Sequence, residues 1–163
     1  MREDLRQMDA VPVVLVRHGE HERVPRDGPL TERGTAQAGA TAEALALGPD
    51  DVVVASPELR TRQTALAFGC TFWVVEDLAD PGTVERLIGR HTAGRLVLCV
   101  DTEVIDAVLR WAFGVASGTE PTAGTDLAHC SVTELVYRPG PPPYTLLRRV
   151  GDVSHLAGPP RSP

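Results

Sequence analysis

An arginine and a histidine stand side by side where the apolar run Val11 to Val16 ends, and a glycine follows them, so that residues 15–22 read LVRHGEHE. Chemistry on a phosphate is one reason to place them so. A guanidinium is always charged and forked to meet phosphoryl oxygens. An imidazole is near its titration point at neutral pH. Other polar groups follow other apolar runs. Ser56 to Arg60 comes after DVVVA (51–55), Glu76 to Asp80 after TFWVV (71–75), and Asp101 after RLVLCV (95–100). In an open α/β sheet, ligands bind at the carboxyl ends of the strands. Order along the chain thus brings Arg17-His18, Ser56–Arg60, Glu76–Asp80 and Asp101 to one rim.

The elements that must position them alternate. VPVVLV (11–16) is β-branched and continuous, as in a central strand buried on both faces. LTERGTAQAGATAEALAL (30–47) is Ala-rich; Thr31 can cap it and Gly48-Pro49 ends it. SPELRTRQTALAFG (56–69) reads as a helix with Ser56 as N-cap, Pro57 at its first position, Glu58 in its first turn and Gly69 as terminator. TVERLIGRH (83–91) is a short helix. TEVIDAVLRWAFG (102–114) is amphipathic, with Val104, Ile105, Val108, Leu109 and Ala112 on one side. Strands alternating with helices predict an α/β class fold, a three-layer α/β/α sandwich on a mostly parallel sheet. SVTELVYR (131–138) and YTLLRRV (144–150) flank PGPPP and predict a C-terminal edge hairpin, its prolines guarding the edge. Residues 115–128 read as a loop. One domain is expected over 11–156, with flexible tails at 1–10 and 157–163.

Bulk properties narrow the function. Of 163 residues, 42% are hydrophobic and 23% charged, enough for one soluble domain. A formal charge of −6 argues against a nucleic-acid or membrane surface. Cys70, Cys99 and Cys130 follow no metal spacing and read as reduced thiols. MREDLRQMDA is not a signal peptide, and no apolar run is long enough to span a bilayer, so the expected location is cytoplasmic.

LVRHGE resembles the signature of the histidine phosphatase superfamily, the phosphoglycerate mutase-like proteins. DGPLTERGTAQA (27–38) is similar to the family's D-x-P-L-T-x-x-G-x-x-Q-A, and SPELRTRQTA (56–65) to its S-x-x-x-R-x-x-Q-T-A. HCSVTEL (129–135) and GDVSHL (151–156) resemble its closing motifs. The resemblance implies a nucleophile at His18, which takes a phosphoryl group on an imidazole nitrogen, and a phosphate clamp at Arg17 and Arg60. Arg62, about 200° away on a helix, reads as surface. The resemblance also implies a general acid in an L-x-E context; here Leu78-Ala79-Asp80 makes Asp80 the candidate. Glu20, Ser56, Glu103 and His155 read as orienting or supporting residues, His21 and His91 as surface, and His129 as a structural hydrogen-bonding residue. No cofactor and no metal is implied. A divalent cation held by Asp80, Asp101 and His18 is disfavoured by the arginines.

The pattern breaks at one place. The family's second histidine ends the fourth strand, and here LVLCVDTEV puts Asp101 in its slot. An ionised Asp only accepts hydrogen bonds. About 4 Å from a phosphoryl charge it costs on the order of 4 kcal/mol per charge at an effective dielectric near 20. Three readings follow: a weak or low-pH phosphatase in which protonated Asp101 donates; a protein using His18 and Asp101 for acid/base chemistry on another substrate; and a pseudoenzyme that binds a phosphorylated ligand or a protein partner. The expected partner is a phosphorylated small molecule or other anionic substrate, with oligomeric state open. The short segment 21–26 provides little lid, which suits a bulky substrate or weak selectivity and argues against a mutase.

Overall fold

The β-branched runs become the strands they predict. The computed structural model describes residues 10–116 and 124–157. In chain order they form β1 (Val11–Arg17), α1 (Glu32–Leu45), β2 (Val52–Ala55), α2 (Leu59–Leu66), β3 (Phe72–Val74), α3 (Pro81–Arg90), β4 (Leu96–Val100), α4 (Thr102–Ala112), β5 (Val132–Arg138), β6 (Tyr144–Asp152) and a 3-10 turn at Ser154–Leu156. One six-stranded sheet has the order β3-β2-β4-β1-β5-β6. β1 pairs parallel with β4, β4 with β2, and β2 with β3. β5 runs antiparallel to β1 and β6 antiparallel to β5, so the hairpin closes one side of the sheet with β6 at its edge.

The two-residue period of the strands sorts their side chains into two cores. Val13 and Leu15 of β1 join Leu96, Leu98 and Val100 of β4 and meet Val84 and Ile88 of α3 and Ile105 and Val108 of α4. Val14 and Val16 join Val97 and Cys99 and meet Leu45 of α1 and Ala65 of α2. The fold is therefore the α/β class expected, with one helix pair on each face. β1 and β4 are fully or almost fully covered, which is why their sequences are continuous rather than alternating.

Two helix starts differ from the expectation. α2 begins at Leu59 rather than at Pro57, and its N-cap is Glu58, whose side chain makes no capping bond. Ser56 is buried and caps nothing: its hydroxyl has no partner among the described residues. The cap comes instead from a distant loop, where Asp27 Oδ1 accepts from the Leu59 N–H at 2.8 Å. α3 begins at Pro81, earlier than residue 83, because Asp80 caps it and proline takes the first turn. α1 starts as expected, with Thr31 accepting from the Gly34 N–H at 3.0 Å. Its end differs: the chain leaves at Ala46 in a left-handed conformation, ahead of Gly48-Pro49. The expected flexible tails fall almost wholly on 1–9 and 158–163, outside the described residues, as does the 117–123 part of the expected loop.

The turn after β1 is seated on both helices of one face. The Gly19 N–H donates to Thr64 Oγ1 at 3.0 Å and the Glu20 N–H to Gln37 Oε1 at 3.0 Å. The Leu30 N–H donates to Gln63 Oε1 at 2.7 Å. The two glutamines of the Q-A and Q-T-A stretches thus serve as backbone acceptors. Close approach requires glycine here. A Cβ on Gly34 would lie 1.9 Å from the Glu20 carbonyl oxygen, and one on Gly19 would lie 2.6 Å from the Gly34 oxygen. Helix propensity alone favours Gly34→Ala by about 1 kcal/mol. The collision with rigid backbone reverses that sign, and we expect net destabilisation of about 1–3 kcal/mol. A lowered urea midpoint at unchanged slope would register it; a raised midpoint would mean that the turn can move away.

Candidate active site

The carboxyl ends of β1 and β4 and the start of α2 open on one cleft of about 630 Å3. Arg17, Arg26 and Arg60 are its cations, Asp27, Glu58, Asp101 and Glu103 its carboxylates, and His18 and His21 its imidazoles. Arg17 ends β1, and the others come from the loops that follow the strands or from the first helical turn after them, as strand order requires.

His18 is buried, 4% exposed. Its Nδ1 lies 2.8 Å from the Gly19 carbonyl oxygen, which can only accept, so Nδ1 carries the proton and Nε2 presents its lone pair. Burial is the largest influence on the ring and pushes its pKa down to about 4; the Gly19 carbonyl and Asp101 oppose this, while Arg60 and His21 add to it. The ring is therefore neutral at pH 7. The folded value lies below the 6.5 of the free side chain. The contribution to stability is thus complete above pH 6.5 and is lost as pH falls toward 4. His18→Gln is expected to flatten the loss of stability across that window, measured by urea unfolding at stepped pH. An unchanged pH dependence would place the proton elsewhere.

Arg60 and Asp101 form a two-pronged pair: Nε donates to Oδ1 at 3.2 Å and Nη2 to Oδ2 at 2.7 Å. Arg60 is mostly buried and also meets Asp27 Oδ1 at 3.4 Å. Burial alone would lower its pKa, but the hydrogen bond and charge of Asp101 raise it. Asp101 Oδ1 lies 3.4 Å from His18 Nε2. Asp101 therefore stands between His18 and Arg60 and occupies part of the Arg60 fork. Arg17 differs. Its Nη1 donates to the Leu127 carbonyl, while its Nε is buried without a partner among the described residues.

The remaining expected residues divide. Glu20 accepts from Thr31 Oγ1 at 2.9 Å and meets Arg33 at 3.6 Å, which ties the turn to the start of α1. Glu103 lines the cleft from the first turn of α4. His155 Nε2 and Thr41 Oγ1 share a hydrogen bond of 3.0 Å, which fastens the C-terminal turn to α1. Ser56 does not line the cleft. Neither does Asp80, whose Oδ2 accepts from the Thr83 N–H at 3.0 Å and from its hydroxyl at 3.2 Å. Arg62 is exposed, as expected.

Sequence reasoning missed Asp27, Glu58 and His21 as cleft residues. Glu58 Oε2 is buried with no partner among the described residues. Asp27 and Glu58 sat within stretches already quoted, and Glu58 fell within the Ser56–Arg60 segment placed on the rim, which was the available signal. His21 was expected at the surface. Instead it lines the cleft, its ring edge-on to that of His18 with centroids 4.8 Å apart. His129 packs on the other side at 5.5 Å from His18 and 6.2 Å from His21. Burial lowers the pKa of both His21 and His129, reinforced by Arg60 for the first and Arg17 for the second.

Residues 13–80 match the model of the histidine phosphatase superfamily, branch 1. That segment holds Arg17, His18, Asp27 and Arg60 and three of the quoted motifs; HCSVTEL and GDVSHL lie outside it. The fold matches that of an Entamoeba histolytica phosphoserine phosphatase mutant solved with phosphoserine, at 15% identity and a TM-score of 0.74 over 90% of this chain and 99% of that one. It also matches a mycobacterial glucosyl-3-phosphoglycerate phosphatase solved with inorganic phosphate, at 18% identity and a TM-score of 0.72 over 90% and 99% of the two chains. A mycobacterial hydrolase matches at 17% identity and a TM-score of 0.71 over 88% and 99%. No curated protein gives a significant sequence match. Among the described residues, no helix is long and apolar enough to cross a membrane.

Proposed function

We propose that the protein is a phosphomonoester hydrolase working through a phosphohistidine at His18, attenuated by Asp101. One observation carries this reading: a buried imidazole with its proton fixed on Nδ1 turns a free Nε2 lone pair into a cleft flanked by Arg17 and Arg60. The unpartnered Nε–H of Arg17 adds a buried donor in want of an anion. The phosphatase neighbours and the family match over residues 13–80 support the same class.

The chemistry balances without a cofactor. Nε2 attacks phosphorus, the bond to the leaving oxygen breaks, and that oxygen takes a proton. Water then attacks phosphorus, the Nε2–P bond breaks, the water's proton passes to the carboxylate that protonated the leaving oxygen, and inorganic phosphate leaves. The arginines stabilise the equatorial oxygens in both steps, the main work of phosphoryl transfer. Asp80 is capping a helix and is poorly placed as the acid. Glu58 lines the cleft with an unpartnered oxygen and is the carboxyl suited to carry the proton. Glu58→Gln is expected to lower kcat by about 10²–10⁴-fold on a poor leaving group and much less on an activated aryl phosphate. An equal loss on both substrates would give Glu58 a binding role instead.

The Arg60–Asp101 pair favours a second reading, a pseudoenzyme that binds a phosphorylated ligand or protein with little turnover. Phosphate release from an aryl phosphate, followed across about pH 4 to 8, separates the two. An enzyme turns over and loses activity on acidification as His18 takes a proton. A binder is silent at every pH yet still binds inorganic phosphate.

A further inference from the structure

Three histidines from two segments far apart in sequence meet beside the cleft, which two of them, His18 and His21, line. His18 and His21 come from the turn after β1, and His129 from the loop before β5, which strand pairing lays beside that turn. One ring nitrogen from each lies within 4.8 Å of the others. His21 Nδ1 is buried and without a partner among the described residues. His18 already has the arrangement usual for a metal ligand, with one ring N–H on a backbone carbonyl and the other nitrogen free.

Asp101 completes the picture. Its carboxylate accepts the two-pronged bond from Arg60, and its Oδ1 lies 3.4 Å from His18 Nε2. Two ligands of a tetrahedral zinc ion, each about 2.0–2.1 Å from the metal, stand roughly 3.3–3.4 Å apart. The His18–Asp101 separation already has that value. The other two rings need to close by about an ångström, and both are only partly buried. Arg60 does not present an unopposed charge, because Asp101 and Asp27 both pair with it. Through Asp101 it also supplies the hydrogen bond to a ligating carboxylate that such sites commonly have.

We propose that His18, His21, His129 and Asp101 form a binding site for a divalent transition-metal ion of the zinc type. Three imidazoles, ligands of the kind zinc takes, come together there, and the Asp101 carboxylate stands beside one of them, His18. The ion would occupy His18 Nε2, so metal and phosphoryl group would exclude each other. That regulatory consequence rests on the phosphatase reading; the binding itself does not.

The test uses untagged, chelator-stripped full chain titrated with Co(II), whose visible absorption reports tetrahedral coordination, followed by displacement with Zn(II). One equivalent is expected to bind. His21→Ala and His129→Ala, each checked by circular dichroism for an intact fold, should each weaken binding more than about tenfold, since loss even of an outer partner costs about 10–100-fold. Inorganic phosphate should compete. No tetrahedral spectrum in the wild type, or binding indifferent to both substitutions together, would overturn the site. In parallel, Zn(II) should inhibit turnover of the wild type and lose that effect in His129→Ala, each compared with its own metal-free rate. If the wild type shows no turnover at all, the phosphatase reading fails while the cobalt titration still decides the metal site.

Discussion

Asp101→His is expected to raise kcat/KM for an aryl phosphate at neutral pH by about a hundredfold or more. In the wild type, Asp101 Oδ1 is 3.4 Å from His18 Nε2 and its other oxygen holds Arg60 at 2.7 Å. A phosphoryl group arriving at Nε2 meets a carboxylate that repels it by on the order of 4 kcal/mol per charge before screening. It also finds one arginine fork already engaged. Arg60 offsets part of the repulsion, so the net cost is smaller than that figure. Histidine removes the charge, frees the guanidinium and supplies a donor. Asp101→Asn should recover part of the gain, because it removes charge while keeping shape. A slower Asp101→His enzyme would instead show that the carboxylate takes part in the reaction, as the acid/base reading requires.

His18→Ala is expected to reduce turnover by at least about a thousandfold, the consequence of removing a nucleophile that nothing else replaces. Binding of inorganic phosphate should persist within about tenfold, because Arg17 and Arg60 remain. That split between chemistry and binding separates an enzyme from a binder. Residual turnover near the wild-type rate would remove His18 from the mechanism. A measurement of phosphate affinity by calorimetry beside the kinetic assay supplies both numbers on one preparation.

Much of this was legible in the sequence because the covered strands have a strong local signature. β1 and β4 are continuous apolar runs, and each ends at a polar pair on the same rim. The chain order of Arg17-His18, Arg60 and Asp101 was enough to bring them together. What failed depended on local helix starts and on strand order. Asp80-Pro81 followed by Thr83 is a helix start, and recognising it would have removed Asp80 as the acid. Ser56 has the right residue type for a cap, but Asp27, far away in sequence, makes the bond. His129 could be brought to His18 only by knowing that β5 pairs antiparallel with β1, a fact no local pattern carries. The Asp101 substitution was visible as a break in the motif. Its pairing with Arg60 needed the geometry of two loops.

The most direct test of the account is to look for the phosphohistidine. Wild-type protein and His18→Ala would be mixed briefly with an aryl phosphate, quenched under alkaline denaturing conditions that spare phosphoramidate bonds, and weighed by intact-mass spectrometry with peptide mapping. The account predicts a single phosphoryl adduct on the wild type, mapping to His18 and absent from His18→Ala. Turnover with no adduct under any quench time, or an adduct that persists in His18→Ala, would contradict it.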